Sequence, residues 1–314
     1  RVDIAGISGT SAGAMNAVAV ADGITRAGRD GARVALRTFW ETMSHAARFS
    51  PVRRTPIDKF MGNWSLDHSP AYHALDALTR LASPYQLNPT NMNPLRDILE
   101  SSIDFEAVRA CDAFELFVSA TNVETGRVKV FPRQKLTVDM VLASACLPHL
   151  YHAVEIDGVP YWDGGYMGNP ALFPFYGATR SDDVVVVQIN PIERKGVPKT
   201  PQDIHNRLNE ISFNGSLLKE LRAIDFVDRL IAQGKLSTDQ YRQVRVHVIE
   251  NQEALKPLGA SSKMNAEWAF LEYLHDIGRM TAARWLEHAL PDIGERSTVD
   301  LRAMFQGIGA EHQG

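Results

Sequence analysis

The sequence is poor in cysteine, in excess charge of either sign and in long apolar runs. Only two cysteines, Cys111 and Cys146, occur in 314 residues. Neither stands in a CxxC or Cys/His spacing, which excludes a disulfide framework and a cysteine-based metal site. We predict that both are buried thiols.

The charge balance argues against nucleic acid as a partner. Lys and Arg total 33 against 37 for Asp and Glu, a net charge of −4. Proteins that follow a phosphate backbone carry concentrated positive charge, which this chain lacks.

No run of eighteen apolar residues is present, so the sequence predicts no membrane span. The chain starts at Arg1 without an initiator Met and without the basic-then-apolar pattern of a signal peptide. It opens on a strand-like segment, and we therefore expect the natural N-terminus to precede this sequence. The expected location is cytoplasmic, with peripheral membrane contact left open.

What the sequence does contain is typical of a globular α/β protein. Hydrophobic residues make up 45% of the chain and charged residues 22%, enough to bury a large core. We expect a catalytic core over residues 1–192 and a mostly helical extension over 193–314, packed on that core. The oligomeric state cannot be predicted.

Hydrophobic periodicity, capping residues and turn residues predict the main elements. The predicted strands are Val2–Gly6, Phe114–Thr121 with Arg127–Phe131 as a hairpin, Val184–Ile189 and Val244–Ile249. The predicted helices are Ala14–Val20, Gly31–Ser44, Ala71–Leu81, Leu95–Ala110, Thr137–Ala145, Thr200–Gly234 and Asn265–Leu290. The β-branched run Val184–Ile189 predicts a strand of the central sheet buried on both faces, and the polar tail from Pro291 is expected to be loosely held.

A pentapeptide, Gly9-Thr10-Ser11-Ala12-Gly13, fits G-x-S-x-G between a predicted strand and a predicted helix. In that context the pattern predicts a nucleophile elbow, with the Ser11 hydroxyl on a strained turn. We expect glycine to be required at positions 9 and 13, because a Cβ atom there would clash where strand and helix pack closely. The Ala12 N–H is a candidate oxyanion donor.

The pentapeptide alone also fits a glycine-rich strand–helix turn in which Ser11 only caps the helix. A phosphate-binding loop fits less well, because residues 6–13 contain no Lys and match neither glycine-rich phosphate motif.

A second motif, Tyr161-Trp162-Asp163-Gly164-Gly165, supplies a candidate base for the serine. Gly164 and Gly165 permit an unusual backbone path and close approach of another segment. Taken alone, Asp163 also fits an ordinary turn aspartate.

The chain resembles the patatin-like phospholipases. The resemblance spans about residues 1–190 and rests on the Asp3–Ala17 elbow, on Ala143-Ser144-Ala145-Cys146-Leu147-Pro148 and on Asp163-Gly164-Gly165. It implies a three-layer α/β/α fold with a mostly parallel central sheet. It also implies a Ser11–Asp163 dyad that hydrolyses acyl esters of lipids or phospholipids without a metal or another cofactor.

The resemblance also reveals a departure. Patatin-like proteins place a first strand and a G-G-G-x-[KR]-G oxyanion loop before the elbow, and Arg1 falls just upstream of the elbow strand. We therefore expect the sequence to be N-terminally truncated, without that loop.

Two alternatives remain open at this stage. One is a Ser-His-Asp esterase, because four later histidines follow Asp163 in the chain order of α/β-hydrolases: His205, His247, His275 and His288. The other is a non-catalytic lipid-binding protein. His149 and His152 lie near Asp163 in sequence and are expected to pack or face solvent, and His247 is expected to pack inside its strand.

The segment Ser50–Pro94 is rich in proline and is predicted to cover the core. Six of its residues combine positive charge with apolar bulk, as an interface-binding loop requires: Arg53, Arg54, Lys59, Phe60, Met61 and Trp64. The alternative is an ordinary, partly buried loop, and the sequence does not decide between the two.

Overall fold

The computed structural model describes residues 2–307, apart from the side chains of residues 202 and 260. The chain divides into two compact units. Unit 1 comprises Arg1–Asn169 and Leu258–Leu274, and unit 2 comprises Pro170–Pro257 and His275–Gly314. The division into 1–192 and 193–314 stays a prediction about domains.

Unit 1 contains a five-stranded sheet and most of the short helices. Its strands are β1 (Gly6–Gly9), β2 (Glu115–Asn122), β3 (Val128–Pro132), β4 (Val154–Ile156) and β5 (Val159–Asp163). Its helices are α1 (Ala12–Ala46), α2 (Pro56–Phe60), α3 (Pro70–Leu81), α4 (Pro84–Leu87), α5 (Pro94–Ser102), α6 (Phe105–Ala110) and α7 (Val138–Ser144).

Strand β2 organises this sheet. It pairs in parallel with β1, from Gly6 opposite Glu115 to Gly9 opposite Val118, and antiparallel with both β3 and β5. Strand β4 pairs antiparallel with β5. The predicted hairpin is therefore confirmed, and the sheet is mixed in strand direction.

The first strand lies further along the chain than the prediction Val2–Gly6. Strand β1 is Gly6–Gly9, and among the residues before it the carbonyl of Ala5 accepts a hydrogen bond from the N–H of Glu115 at 3.0 Å. Residues 2–5 are exposed. The pairing with β2 extends through the glycine-rich residues up to Gly9, so the turn begins only after Gly9.

The two predicted helices after the elbow form α1, which is interrupted at Ala27 and Gly28. The first half packs against the sheet through Ala14, Val18 and Ala21, all without exposed surface. Helices α5 and α7 contribute to the same core, which includes Leu99 and Leu142.

Unit 2 contains a separate two-stranded parallel sheet of β6 (Asp183–Gln188) and β7 (Arg245–Glu250). Its helices are α8 (Phe175–Ala178), α9 (Pro201–Ala232), α10 (Gln252–Leu255) and α12 (Leu301–Gln306). Helix α11 (Trp268–Ala289) has residues 268–274 in unit 1 and the rest in unit 2.

The prediction that Val184–Ile189 belongs to the central sheet and is buried on both faces is wrong. Strand β6 pairs only with β7 among the described residues. Val184 and Val186 are buried, whereas Val185 and Val187 are 41% and 69% exposed. A run of β-branched residues favours a strand but does not show how many of its faces are covered.

The prediction of a loose tail is also wrong as far as the described residues extend. Val299, Leu301, Met304 and Phe305 pack against the core of unit 2, and α12 is capped by Asp300. Residues 308–314 lie outside the described part of the chain.

None of the helices within residues 2–307 is both long enough and apolar enough to cross a lipid bilayer.

Candidate active site

Ser11 stands at the junction of β1 and α1. Its backbone has φ 54° and ψ −120°, in the positive-φ region that residues with a Cβ rarely adopt. Holding a non-glycine residue in such a conformation costs about 1–3 kcal/mol and is typical of functional turns. The predicted strained turn at Ser11 is thus present in the structure.

The two glycines that flank the pentapeptide have different roles. A Cβ on Gly9 would overlap the carbonyl oxygen of Gly13 and lie 2.8 Å from the backbone nitrogen of Ala14, so only glycine fits there. A Cβ on Gly13 would meet no atom within 4 Å. The predicted close packing is confirmed at Gly9 and wrong at Gly13, because the backbone of Gly13 faces β1 while its Cβ position faces open space.

A buried serine holds the elbow in place. The N–H of Ser11 donates a hydrogen bond of 2.9 Å to Oγ of Ser144, which has no exposed surface and ends α7. Ser144 belongs to the Ala143–Pro148 motif, but no sequence pattern indicates this role.

Hydroxyls also join the elbow to β2 and to the segment after Asp163. Oγ1 of Thr10 lies 2.6 Å from Oγ of Ser119, and each hydroxyl lies 2.7 Å from the carbonyl oxygen of Gly168. A Cβ on Gly164 would overlap the carbonyl oxygen of Ser119. The close approach predicted for the glycine pair therefore occurs at Gly164.

Asp163 is the last residue of β5 and has no exposed surface. Its N–H donates to the carbonyl of Cys146 at 2.9 Å, and its carbonyl accepts from Oγ1 of Thr121 at 2.8 Å. Its carboxylate oxygen Oδ1 accepts the N–H of Gly165 at 2.7 Å. These three bonds fix both the backbone and the side chain of Asp163.

The other carboxylate oxygen of Asp163, Oδ2, is buried and makes no hydrogen bond of ordinary length and angle among the described residues. Burial raises the pKa of Asp163 from 3.8 to about 6, and the Gly165 N–H and the Ser11 side chain, acting as hydrogen-bond donors, lower it in part. The Ser11 hydroxyl is thus close enough to act on this carboxylate. An unpaired oxygen on a desolvated carboxylate is suited to accept a proton.

Two further ionisable residues of unit 1, Lys263 and Tyr166, interact electrostatically with this carboxylate. The Lys263 ammonium group lowers the pKa of Asp163 through its positive charge, and Lys263 lies in a short 3₁₀ turn, Ala260–Met264. Burial raises the pKa of Tyr166, and the charge of Asp163 raises it further. Lys263 is 100 positions from Asp163 in sequence, and no sequence pattern connects the two.

The N–H of Ala12 follows Ser11 at the start of α1 and has no acceptor among the described residues. The next N–H groups, of Gly13 and Ala14, donate to the carbonyls of Thr10 and Ser11 at 2.8 and 2.9 Å. The free donor therefore lies where the sequence predicts an oxyanion contact.

No histidine is a hydrogen-bond partner of Ser11 or Asp163 in the described part of the chain. His152 has other partners: its Nε2 lies 3.2 Å from the carbonyl oxygen of Pro84, which accepts a hydrogen bond from it, and its ring stacks on Tyr85. In unit 2, His247 is fully buried, and its Nε2 lies 3.0 Å from a carboxylate oxygen of Asp183. His247 therefore packs inside its strand, as predicted.

Both cysteines are free and buried, as predicted. Burial raises the pKa of Cys146 to about 12, so this thiol stays protonated near Asp163. Within residues 2–307, no three side chains of His, Cys, Asp or Glu are grouped as a metal site would require.

Comparison with protein families matches residues 1–176 to the model described as patatin-like phospholipase. The chain belongs to the patatin-like phospholipase family. The matched range contains both Ser11 and Asp163. The predicted α/β/α fold class is confirmed by this membership, which also indicates a hydrolase that acts on lipid esters. No curated protein sequence matches the chain.

Proposed function

We propose that this patatin-like protein hydrolyses acyl esters of phospholipids or acylglycerols through a Ser11–Asp163 dyad. The observation that supports this most strongly is the buried Asp163 carboxylate: Oδ1 accepts the Gly165 N–H, Oδ2 makes no hydrogen bond of ordinary length and angle among the described residues, and the Ser11 side chain acts on the pKa of the group. The roles of Ser11 and Asp163, and of Gly9, Ala12, Gly13, Gly164 and Gly165 around them, are part of this proposal.

In the first step, Oγ of Ser11 attacks the ester carbonyl carbon while its proton passes to Oδ2 of Asp163. Collapse of the tetrahedral intermediate breaks the bond to the alcohol, and Asp163 returns the proton to the departing oxygen. The acyl group remains on Ser11 as an ester.

In the second step, Asp163 accepts a proton from water, which attacks the acyl-enzyme. Cleavage of the bond to Ser11 releases the fatty acid, and the proton restores the serine hydroxyl. The same carboxylate oxygen thus serves as base and as acid in both steps.

The developing negative charge of each intermediate requires hydrogen-bond donors. The Ala12 N–H is available for this, and the start of helix α1 favours negative charge near it. Loss of a single oxyanion donor typically costs about 10²–10³-fold in turnover.

The proposal is tested by the turnover of a long-chain phospholipid and of a diacylglycerol by purified protein. We expect Ser11→Ala and Asp163→Asn each to reduce kcat at least about 10³-fold, since each removes a group that acts on the reacting atoms. The exposed histidines His205, His275 and His288, changed singly to Gln, serve as controls and should retain most of the activity.

Two results would count against the proposal. A histidine substitution as costly as Asp163→Asn would favour a Ser-His-Asp esterase. A folded protein that binds these lipids but hydrolyses none of them would favour a non-catalytic lipid-binding role.

A further inference from the structure

Helix α2 presents an apolar face to solvent. Ile57, Phe60 and Met61 are 70%, 93% and 75% exposed. They are spaced i, i+3 and i+4 on a helix that ends at Phe60, with Met61 as its C-cap, so they share one side. Soluble proteins seldom leave three large apolar side chains together in water without a partner.

The exposed charged residues next to this apolar face in the chain are basic. Over residues 51–66 the exposed charged side chains are Arg53 and Lys59, and the single acidic residue, Asp58, is 2% exposed. Lys59 also lies 3.6 Å from Glu267, at the inner side of the segment. A chain of net charge −4 therefore carries a locally basic, apolar face.

The inner side of α2 is fixed by a capping box. Oδ2 of Asp58 accepts the hydroxyl and the N–H of Thr55 at 2.6 and 3.1 Å, and Oγ1 of Thr55 accepts the N–H of Asp58 at 3.1 Å. Oδ1 of Asp58 contacts His68 and Asn63 at 2.7 and 3.1 Å. Burial raises the pKa of Asp58, but these hydrogen bonds outweigh it and hold the pKa at about 2.

The flanking residues anchor the segment to the second part of unit 1. The Arg54 guanidinium pairs with Glu267 at 2.9 Å and lies 4.0 Å from the ring centre of Trp64. Trp64 in turn stacks on Phe270 and Tyr273, with ring centres 5.4 and 5.2 Å apart. Arg54 and Trp64 are therefore structural, whereas Phe60 and Met61 are free to contact a partner.

The segment that follows α2 also contacts the short turn that contains Lys263. The N–H of Leu66 donates to Oγ of Ser261 at 3.0 Å, and Ser261 lies in the same 3₁₀ turn as Lys263, whose charge acts on Asp163. The segment after α2 thus contacts the same five-residue turn whose Lys263 acts through its charge on Asp163.

We infer that the exposed face of α2, formed by Ile57, Phe60 and Met61 with the exposed cations Arg53 and Lys59 next to them in the chain, docks on an anionic lipid surface. Apolar side chains that enter the acyl region and cations that remain among anionic headgroups are the two contributions that hold a peripheral helix at a bilayer. The inference uses the proposed function only in its choice of lipid as the partner, and binding can be measured without catalysis.

The test is flotation of purified Ser11→Ala protein with phosphatidylcholine vesicles that contain about 30% phosphatidylserine. Ser11→Ala keeps the lipid intact and leaves α2 unchanged. We expect Ile57→Ser, Phe60→Ser and Met61→Ser together to weaken binding at least about tenfold, because each buried apolar side chain contributes substantially to membrane affinity. Arg53→Gln with Lys59→Gln should weaken binding to anionic vesicles and remove most of its salt sensitivity.

A matched control replaces three equally exposed apolar residues elsewhere, Leu81→Ser, Met92→Ser and Val197→Ser, which are 86%, 70% and 81% exposed. This variant should bind like the parent. The α2 triple variant is also made in protein that retains Ser11. It should hydrolyse a dissolved short-chain ester at the parent rate, and its hydrolysis of vesicle lipid should fall.

Absence of binding to anionic vesicles, or equal loss in the control variant, would overturn the inference. Self-association that the α2 substitutions abolish, without lipid binding, would show that a second copy covers this face and would also overturn it. Vesicle binding by a protein that hydrolyses no ester would refute the proposed function and leave this inference intact.

Discussion

Asp163 combines full burial with an incompletely satisfied carboxylate. A buried acceptor without a donor normally costs free energy, and such groups persist where function requires them. Here Gly165 satisfies Oδ1, while Oδ2 makes no hydrogen bond of ordinary length and angle among the described residues. In the proposed mechanism Oδ2 accepts the proton of Ser11. The raised pKa is the consequence of this arrangement, because desolvation penalises the charged form.

The raised pKa of Asp163 predicts the pH dependence of hydrolysis. The base must be ionised to accept a proton, so kcat/KM should fall about tenfold per pH unit below the pKa of about 6 and should be level above it. The measurement is a pH profile with a dissolved short-chain ester. A profile that is flat between pH 4 and 7, with the protein folded throughout, would contradict the role of Asp163 as base.

The same residue predicts a gain in stability when its charge is removed. The folded-state pKa of Asp163 is raised above 3.8, so its contribution to stability is present below pH 3.8 and is lost as the pH rises through about 6. Asp163→Asn, which keeps an acceptor for Gly165, should be more stable than the parent by up to about 3 kcal/mol above pH 6.

Thermal and urea unfolding of both proteins at pH 8 and pH 4 test this expectation. The difference should be largest at pH 8 and small at pH 4. A variant that is less stable than the parent at pH 8 would show that the Asp163 charge is well solvated by its partners.

At the scale of elements, the elbow depends on how β1 meets α1. Gly9→Ala places a Cβ against the backbone of Gly13 and Ala14, which cannot move without shifting the helix. Gly13→Ala enters open space and adds a better helix former near the start of α1. We expect Gly9→Ala to lower the unfolding free energy by about 1–3 kcal/mol or more and Gly13→Ala to leave it almost unchanged.

Urea unfolding of the two single variants is a direct comparison, since each adds one methyl group at one end of the same pentapeptide. Equal destabilisation by both would mean that α1 approaches β1 at Gly13 as closely as at Gly9.

The contact between α7 and the elbow makes Ser144 a positioning residue. Ser144→Ala leaves the Ser11 N–H without its buried acceptor, which typically costs about 1–3 kcal/mol. We expect kcat to fall about tenfold or more with little change in KM for a dissolved ester, because the loss acts on the orientation of Ser11. Ser44→Ala, at another buried serine of unit 1, is the control.

A merely structural role of Ser144 would appear as lower stability with normal kcat at a temperature where the variant is folded. Restoration of kcat by Ser144→Cys, whose thiol is a weak acceptor, would support positioning of the Ser11 backbone through this one contact.

Local sequence patterns are sufficient to predict some strands but not which strands pair. Glu115–Asn122 and Val128–Pro132 form the predicted hairpin because two strand-forming runs flank a turn that contains Gly126, at φ 64°. Strand β6 was predicted as a strand but assigned to the wrong sheet. Its β-branched residues specify an extended backbone, whereas its pairing depends on β7, which is 62 positions away at Asp183 and Arg245.

At the scale of the whole molecule, the candidate site is assembled from segments that lie far apart in sequence. The sequence predicts Ser11 and Asp163 because each lies in a short motif with its own steric logic. It does not predict Ser144, Ser119 or Lys263, whose contributions depend on which surfaces the fold brings together. Local patterns record local constraints, and the long-range contacts follow only from packing.

The exposed face of α2 illustrates the same limit. The sequence shows basic and apolar residues mixed over Arg53–Trp64 but cannot separate those that bind Glu267 and Phe270 from those that face solvent. The separation requires the second part of unit 1, which follows almost 200 residues later in the chain.

The central claim is that one serine of the whole chain is activated, and that Asp163 activates it. The most direct measurement is reaction of the purified protein with a fluorophosphonate probe, with the modified residue located by mass spectrometry. We predict modification at Ser11 alone, and a large loss of modification in folded Asp163→Asn protein. Modification of another serine, or equal modification of Ser11 in the Asp163→Asn variant, would contradict the account.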